Sequence, residues 1–382
     1  MVKKILILSC TGGYGHAAAA TTIEQLLGSA YECCTFYPIN ELRILGVPSG
    51  ESFYNFLLAK NFIHLTNIVA GSIAPSLILS REEKAIEIIR RKIAQEKPDL
   101  VISVIPFLNY PASEAARLEE LPFLIVTTDN DLSNWVYSLD KCRHPRFKIT
   151  IGCDLPSTRS LLLKSCIPEE YIETIGLPLR TQFLNVTHKA KLRSQHEIPQ
   201  DEKVVLLMMG GAGSDLAYRY ARLIASLPLN VRLLACTGRN TSLAAHMRNL
   251  TVAPGNSLDV IPFTHQIHEL MALSDLIITK PGPGTITEAM ALKVPLLIDC
   301  IGPSLFWEKA NIDLVLSYGI GARVTSFADL EMLMKSYLYD SEVREKNSRA
   351  FQAIPANQFA ARLAPLISEL RTYPENKFQS IF

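Results

Sequence analysis

The chain lacks an excess of charge of either sign. Its 38 Lys and Arg residues stand against 37 Asp and Glu, a formal net charge of +1. That balance removes the global pull by which nucleic-acid-binding proteins hold phosphate backbones, so no nucleic-acid partner is expected beyond what a local basic patch would allow. A metal signature is missing as well. The eight cysteines, including the adjacent Cys33 and Cys34, form no CxxC pair and no Cys/His ligand spacing. Reduced, mostly buried thiols in a cytosolic protein are the expectation, with no metal ligands. No stretch reaches the ~20 apolar residues that cross a bilayer. The apolar run after Met1 is too brief for a signal peptide and passes straight into Gly-rich sequence with no small-residue cleavage site. Any contact with a membrane is therefore expected from the side. Short-period repeats and low-complexity segments are also lacking.

What is present is length and alternation. The chain has 382 residues, of which 48% are hydrophobic. A single core rarely grows past ~250–300 residues, so two domains are expected. Apolar runs that read as strands lie at 4–9, 100–104, 123–127, 204–209, 231–236, 276–279 and 295–298, with further candidates at 34–37 and 148–152. Helical patterns such as 81–96 and 214–226 separate them. This alternation predicts an α/β protein with parallel sheets covered by helices on both faces. Gly176-Leu177-Pro178-Leu179-Arg180 and the polar stretch 187–201 mark a boundary. The expected domains are 1–182 and 183–355, each Rossmann-like and opening with a strand and a Gly-rich turn. The segment 356–382 holds an amphipathic helix with Phe359, Leu363, Leu366 and Leu370 near one face, which is free to cross back onto the first domain.

Chemistry concentrates in Lys280-Pro281-Gly282-Pro283-Gly284-Thr285-Ile286-Thr287-Glu288-Ala289. A buried strand, a Gly/Pro turn and a helix start make an anion seat, because the first helical N–H groups lack intrahelical partners and the dipole adds positive potential. Gly282 and Gly284 let a diphosphate approach the backbone. Glu288, one turn inside, is placed to accept hydrogen bonds from two ribose hydroxyls; the alternative is a solvated carboxylate favoured by the dipole. Residues 41–80 crowd apolar side chains with few charges, which reads either as core-facing helices or as a membrane or lipid-acceptor surface flanked by Arg43, Lys60 and Arg81.

Five ordered motifs carry a resemblance. They are Gly12-Gly13-Tyr14-Gly15-His16, Gly176 to Arg180, Cys236-Thr237-Gly238-Arg239-Asn240, Ile261-Pro262-Phe263-Thr264 and the 280–288 turn. Together they resemble the monogalactosyldiacylglycerol synthase and processive diacylglycerol glucosyltransferase family, related to the GlcNAc transferase of peptidoglycan synthesis, over residues 1 to about 340. The resemblance implies a GT-B fold, two Rossmann-like domains with parallel sheets facing across a cleft. It implies an inverting hexosyl transfer from a UDP-sugar to a lipid acceptor such as diacylglycerol, by a cytoplasmic enzyme bound peripherally to the membrane surface. No catalytic metal is required, and no cofactor is expected beyond the UDP-sugar, which is a substrate. Carried over, Glu288 would bind the ribose, while Gly282, Pro283, Gly284 and Thr285 would lie beside the diphosphate. Arg180 would reach a phosphate, and the backbone at Phe263 and Thr264 would read the uracil edge, with the Phe263 side chain buried. Gly12 and Gly13 would form the first turn and Gly210, Gly211, Ala212 and Gly213 the second. His16 would be the base that deprotonates the acceptor hydroxyl, and Asp129 would orient that hydroxyl or partner the imidazole.

The pattern departs from the family at two places. Trp307 precedes Glu308 and Asn311 where a Gln is usual; Glu308 and Asn311 fit residues that hold the donor sugar, whereas an indole offers one donor and a flat apolar face. Ala17 to Ala20 replace the polar residue usual after His16. These departures leave open the sugar, a polyprenyl-linked or small-metabolite acceptor, and a nucleotide-sugar-binding protein without turnover.

Overall fold

The computed structural model describes residues 3–12, 15–42, 53–54, 56–57, 62–210 and 215–372. Gly13, Gly211, Ala212 and Gly213 lie outside the described residues. The chain divides into two units. The first comprises Met1–Thr181, Leu305–Trp307 and Asn357–Phe382, and the second Gln182–Ser304 and Glu308–Ala356.

The first unit is a parallel sheet of β1 (Lys3–Leu8), β2 (Tyr31–Phe36), β3 (Leu100–Ser103), β4 (Phe123–Val126), β5 (Phe147–Ile151) and β6 (Ile172–Thr174), in the order β2-β1-β3-β4-β5-β6. Its inner strands are unbroken apolar runs because helices cover both faces. Alternate residues serve opposite layers. Leu6, Leu8, Val101 and Phe123 pack with Ile89, Ala112 and Ala116. Ile5, Ile7, Ile102 and Leu124 pack with Ile23 and with Phe359, Leu363, Leu366 and Leu370 of the helix Phe359–Thr372. The last helix among the described residues thus completes the core of the first unit. Asn357 fixes its approach by donating from Nδ2 to the Leu177 carbonyl at 2.8 Å.

The second unit repeats the plan with β7 (Lys203–Met208), β8 (Val231–Gly238), β9 (Ser257–Pro262), β10 (Leu276–Thr279), β11 (Leu296–Asp299) and β12 (Gly321–Val324), in the order β12-β11-β10-β7-β8-β9. In each sheet the chain starts at a middle strand, moves outward on one side, then returns to the other side of its starting point. The reversal falls between β1 and β3 in the first sheet and between β7 and β10 in the second. Loops leaving the carboxyl ends of such a strand pair diverge and open a crevice, the usual ligand position in doubly wound sheets.

Two expectations change. The polar stretch 187–201 is not merely a linker. It contains the helix Lys189–Gln195, held by the buried Arg193, which donates to the Leu273, Gln200 and Glu202 carbonyls and pairs with Asp275 at 2.7 Å. The segment Ile63–Leu79 is helical with a π turn at Val69–Ile73; Thr66, Ala70 and Pro75 are buried and Ile78 packs against the first core, but most of its large apolar side chains are exposed. Phe53, Phe56, Phe62, Leu65, Ile68, Ile73, Leu77 and Leu79 are 36–55% exposed. Among the described residues no single helix is long and apolar enough to cross a membrane; the pair Ile63–Leu79 and Glu82–Glu96 passes by composition but is bent by 76°.

Candidate active site and donor turn

In the first unit the helix Gly15–Leu27 is the first helix after β1, and His16 stands in its first turn. The loop after β4 brings Thr128 to it, with Thr128 Oγ1 3.1 Å from His16 Nδ1. Trp135, itself buried, lies against the imidazole at a centroid distance of 5.9 Å. Trp135 is fixed in turn: buried Asn109 donates to its carbonyl at 2.9 Å and accepts from Ser103 at 2.7 Å. The His16 side chain is half-buried and closely surrounded by protein. Burial pushes its pKa down to about 4, partly offset by a ring hydrogen bond to the Val104 carbonyl. His16 is therefore neutral near pH 7. Asp129 Oδ1 accepts from the Asn130 N–H at 2.9 Å. His16, Gly12 and Asp129 line one cavity of about 330 Å³, otherwise walled mainly by apolar side chains such as Ala70, Ile73, Leu77, Trp135 and Trp307. Trp307 meets Phe306 edge-on at 4.7 Å.

In the second unit the Gly/Pro turn read as the candidate donor seat, called the donor turn below, follows β10. Gly282 caps the helix Pro283–Leu292, and Pro283 sits at the first helical position, where its missing N–H costs nothing. The first intrahelical bond runs from the Ile286 N–H to the Gly282 carbonyl at 3.2 Å. The N–H groups of Gly284 and Thr285 fall outside that ladder. A Cβ added at Gly282 or Gly284 would meet no atom within 4 Å, and neither residue needs a positive φ. The fold itself does not demand glycine there; the bare backbone leaves space above the helix start. Glu288 is 6% exposed, which overturns the alternative of a solvated carboxylate.

Asn311 is fully buried and donates from Nδ2 to the Pro281 carbonyl at 3.0 Å. That bond holds the turn from below. Glu308 is buried at the end of the short helix Phe306–Glu308. Phe263 is 45% exposed rather than buried, with the Arg239 guanidinium 4.4 Å from its ring centroid. Thr264 Oγ1 accepts from the Gln266 N–H at 3.0 Å and shapes the loop after β9. Arg180 is half-buried in the first unit, one residue before its limit at Thr181.

Sequence reasoning gave Thr128, Trp135 and Asn109 no part, since nothing local marks residues about a hundred positions from His16 as its neighbours. It also gave Lys280 no role. Gly210, at φ +90°, turns the chain after β7 so closely to Lys280 that an added Cβ would lie 3.2 Å from Lys280 Cε and 3.4 Å from Nζ. The two turns that flank the reversal point of the second sheet thus meet at an ammonium group. A lysine preceding a phosphate-type turn was the available signal.

The two repeated doubly wound sheets are the GT-B architecture of glycosyltransferases. The solved structure of MurG from Acinetobacter baumannii is similar at a TM-score of 0.62 and 17% identity, over 96% of this chain and 99% of that one. The S. aureus MnaA–UDP co-structure is similar at 0.60 and 14%, over 96% of each chain. Residues 204–301 match the glycosyltransferase family 28 C-terminal domain. The chain also resembles two groups of curated proteins. It is 28% identical to the chloroplastic monogalactosyldiacylglycerol synthase of Spinacia oleracea over 366 residues, 85% of this chain and 64% of that protein. It is 25% identical to the processive diacylglycerol beta-glucosyltransferase of Bacillus licheniformis over 391 residues, 99% of this chain and 98% of that one. The chain thus spans under two thirds of the spinach protein's length and nearly the whole of the bacterial one.

Proposed function

We propose that the chain is an inverting glycosyltransferase that moves a hexose from a UDP-sugar to a lipid acceptor, such as diacylglycerol, at a membrane surface. The observation that carries this reading is the cavity of about 330 Å³ in which a neutral imidazole and two carboxylates, Asp129 and Asp131, sit within a mainly apolar wall. An acceptor with an apolar body and one hydroxyl suits such a chamber, whose few polar side chains gather around His16 and Asp129 while the rest of the wall is apolar. The names of the spinach and Bacillus relatives agree with that acceptor class.

In this reading the ring of His16 takes the acceptor proton as the hydroxyl oxygen attacks the anomeric carbon, and Asp129 orients the hydroxyl. The C–O bond to the diphosphate breaks and UDP leaves with the electron pair. The N–H groups of Gly284 and Thr285, the helix dipole, Lys280 and Arg180 stabilise that charge. Glu288 takes the ribose hydroxyls, and the backbone of the 263–264 loop faces the base. No step of this scheme draws on a metal. The exposed apolar residues between Phe53 and Leu79 rest on the bilayer, a peripheral attachment that needs no spanning helix.

The test is UDP release from a panel of UDP-sugars, with diacylglycerol in liposomes and with water-soluble acceptors, and chromatography of the lipid product. A glycolipid formed only with liposomes supports the proposal. Transfer to a soluble acceptor alone, or UDP-sugar binding without release of UDP, overturns it.

A further inference from the structure

The second unit holds another cavity, of about 560 Å³, remote from the donor turn. Its walls come from the opposite edge of the sheet. Lys203 begins β7, Ser274 and Asp275 precede β10, and Val294 and Pro295 precede β11. The helix Pro283–Leu292 joins the two ends: its first residues form the donor turn, and Ala291 and Leu292 line this cavity. Ten residues at ~1.5 Å each put the two places roughly 15 Å apart along that helix.

The lining is charged in one sense. Lys189, Lys203, Lys293 and Arg344 contribute four cations against a single carboxylate, Asp275. That carboxylate is already engaged by Lys189 at 2.7 Å, by Arg193 at 2.7 Å and by the Val204 N–H at 2.8 Å. Among the described residues no carboxylate lies within ion-pair distance of Lys203, Lys293 or Arg344, whereas Arg193 and Arg232 of the same unit are each matched. The carbonyl end of the helix Pro283–Leu292 opposes anions weakly, but Lys293 stands at that end. Phe183, Leu184 and Phe351 add an apolar wall. Three unmatched cations beside apolar surface suit a ligand with an anionic head and an apolar body.

We infer that this cavity is a second anion site, which takes a phosphate ester carrying an apolar or aromatic group and is separate from the donor turn. The phosphate meets Lys203, Lys293 and Arg344, and the body lies against Phe183 and Phe351. Two sources share that chemistry, a soluble nucleoside monophosphate and a phospholipid headgroup. The inference does not depend on the proposed transfer reaction.

Titration calorimetry of the full chain with AMP and, separately, with dihexanoylphosphatidate tests it. At least one should bind; which of them does identifies the source. The double variant Lys203→Gln with Arg344→Gln should weaken that binding by roughly tenfold or more, and Glu288→Gln should leave it within about twofold, since it alters only the donor turn. Both substituted cations lie at the surface or the sheet edge, so the fold should persist, and unchanged circular dichroism checks this. Lys293→Gln serves as a second variant if the double one does not fold. The inference fails if neither ligand binds, if the cation variants bind as tightly as the parent, or if Glu288→Gln abolishes binding. An absence of UDP binding would sink the donor reading and leave this titration interpretable.

Discussion

His16→Gln separates the chemistry from the fold more sharply than any other single change. The imidazole is held by Thr128 at Nδ1 and backed by Trp135, and burial depresses its pKa to about 4. Glutamine keeps similar volume and hydrogen-bonding capacity but cannot take up a proton. Loss of a positioned general base costs about 10²–10⁴ in rate, which is ~3–5 kcal/mol of transition-state stabilisation. Turnover should fall by that factor, while UDP affinity, set in the other unit, should change less than about twofold. The pH profile gives an independent reading. A base with its ordinary pKa would lose activity as pH falls through about 6.5; this one should hold its activity down to pH 5 and lose it near 4, so the acidic limb is displaced downward. Calorimetric UDP titration and initial rates between pH 4 and 8 are sufficient. Equal losses in turnover and UDP affinity would make His16 a structural residue. A limb at 6.5 that persists in the variant would refute the assignment of the base.

Three further outcomes are expected. Glu288→Gln removes a buried carboxylate from the helix start and should weaken UDP binding by roughly 1.5–3 kcal/mol, about 10- to 150-fold, in calorimetry; unchanged affinity would refute the ribose role. Phe62→Asp with Ile68→Asp alters residues that are 51% and 55% exposed and lie outside the cavity lining, so flotation with liposomes should fall while transfer to a short-chain dispersed acceptor persists. Below neutral pH the fold should weaken on account of His144. This buried ring accepts from the Arg146 N–H at Nδ1 and donates from Nε2 to the Leu121 carbonyl, and burial holds its pKa at about 4. The neutral form is favoured in the folded state, so the contribution is complete above pH 6.5 and lost as pH falls toward 4, by roughly 3 kcal/mol at most; urea titrations of the parent and His144→Gln between pH 4 and 7 should converge at the acid end.

The limits of the sequence are physical. Central strands such as β1, β3, β4, β7 and β10 were legible because helices on both faces require unbroken apolar runs, as in Ile5 to Leu8 or Leu276 to Thr279. The edge strands β6, β9 and β12 were not. Ser257–Pro262 is half-buried along its length, and Gly321–Val324 carries Arg323, because an edge strand has a neighbour on one side only. The Gly turns at 282–284 were readable since their chemistry is local. The surroundings of His16 were not, since Thr128, Trp135 and Asn109 reach it only through the stacking order of the strands. Nor does an apolar composition reveal which way it faces: the segment 63–79 has the residues of a core helix and exposes most of them.

That exposure bears on the choice of acceptor. Fully burying a large aliphatic or aromatic side chain stabilises by about 1.5–3 kcal/mol relative to leaving it in water. Eight such residues between Phe53 and Leu79 are 36–55% exposed, so the fold forgoes a few times that amount along this segment. A soluble acceptor gives no return on that sacrifice. A bilayer would, since those side chains would regain burial at the boundary between headgroups and acyl chains. Ile73 and Leu77 belong both to that exposed set and to the wall of the cavity containing His16. The surface that would meet the lipid is thus continuous with the chamber where an acceptor hydroxyl would lose its proton, and a lipid would pass from bilayer to base without its apolar body crossing water.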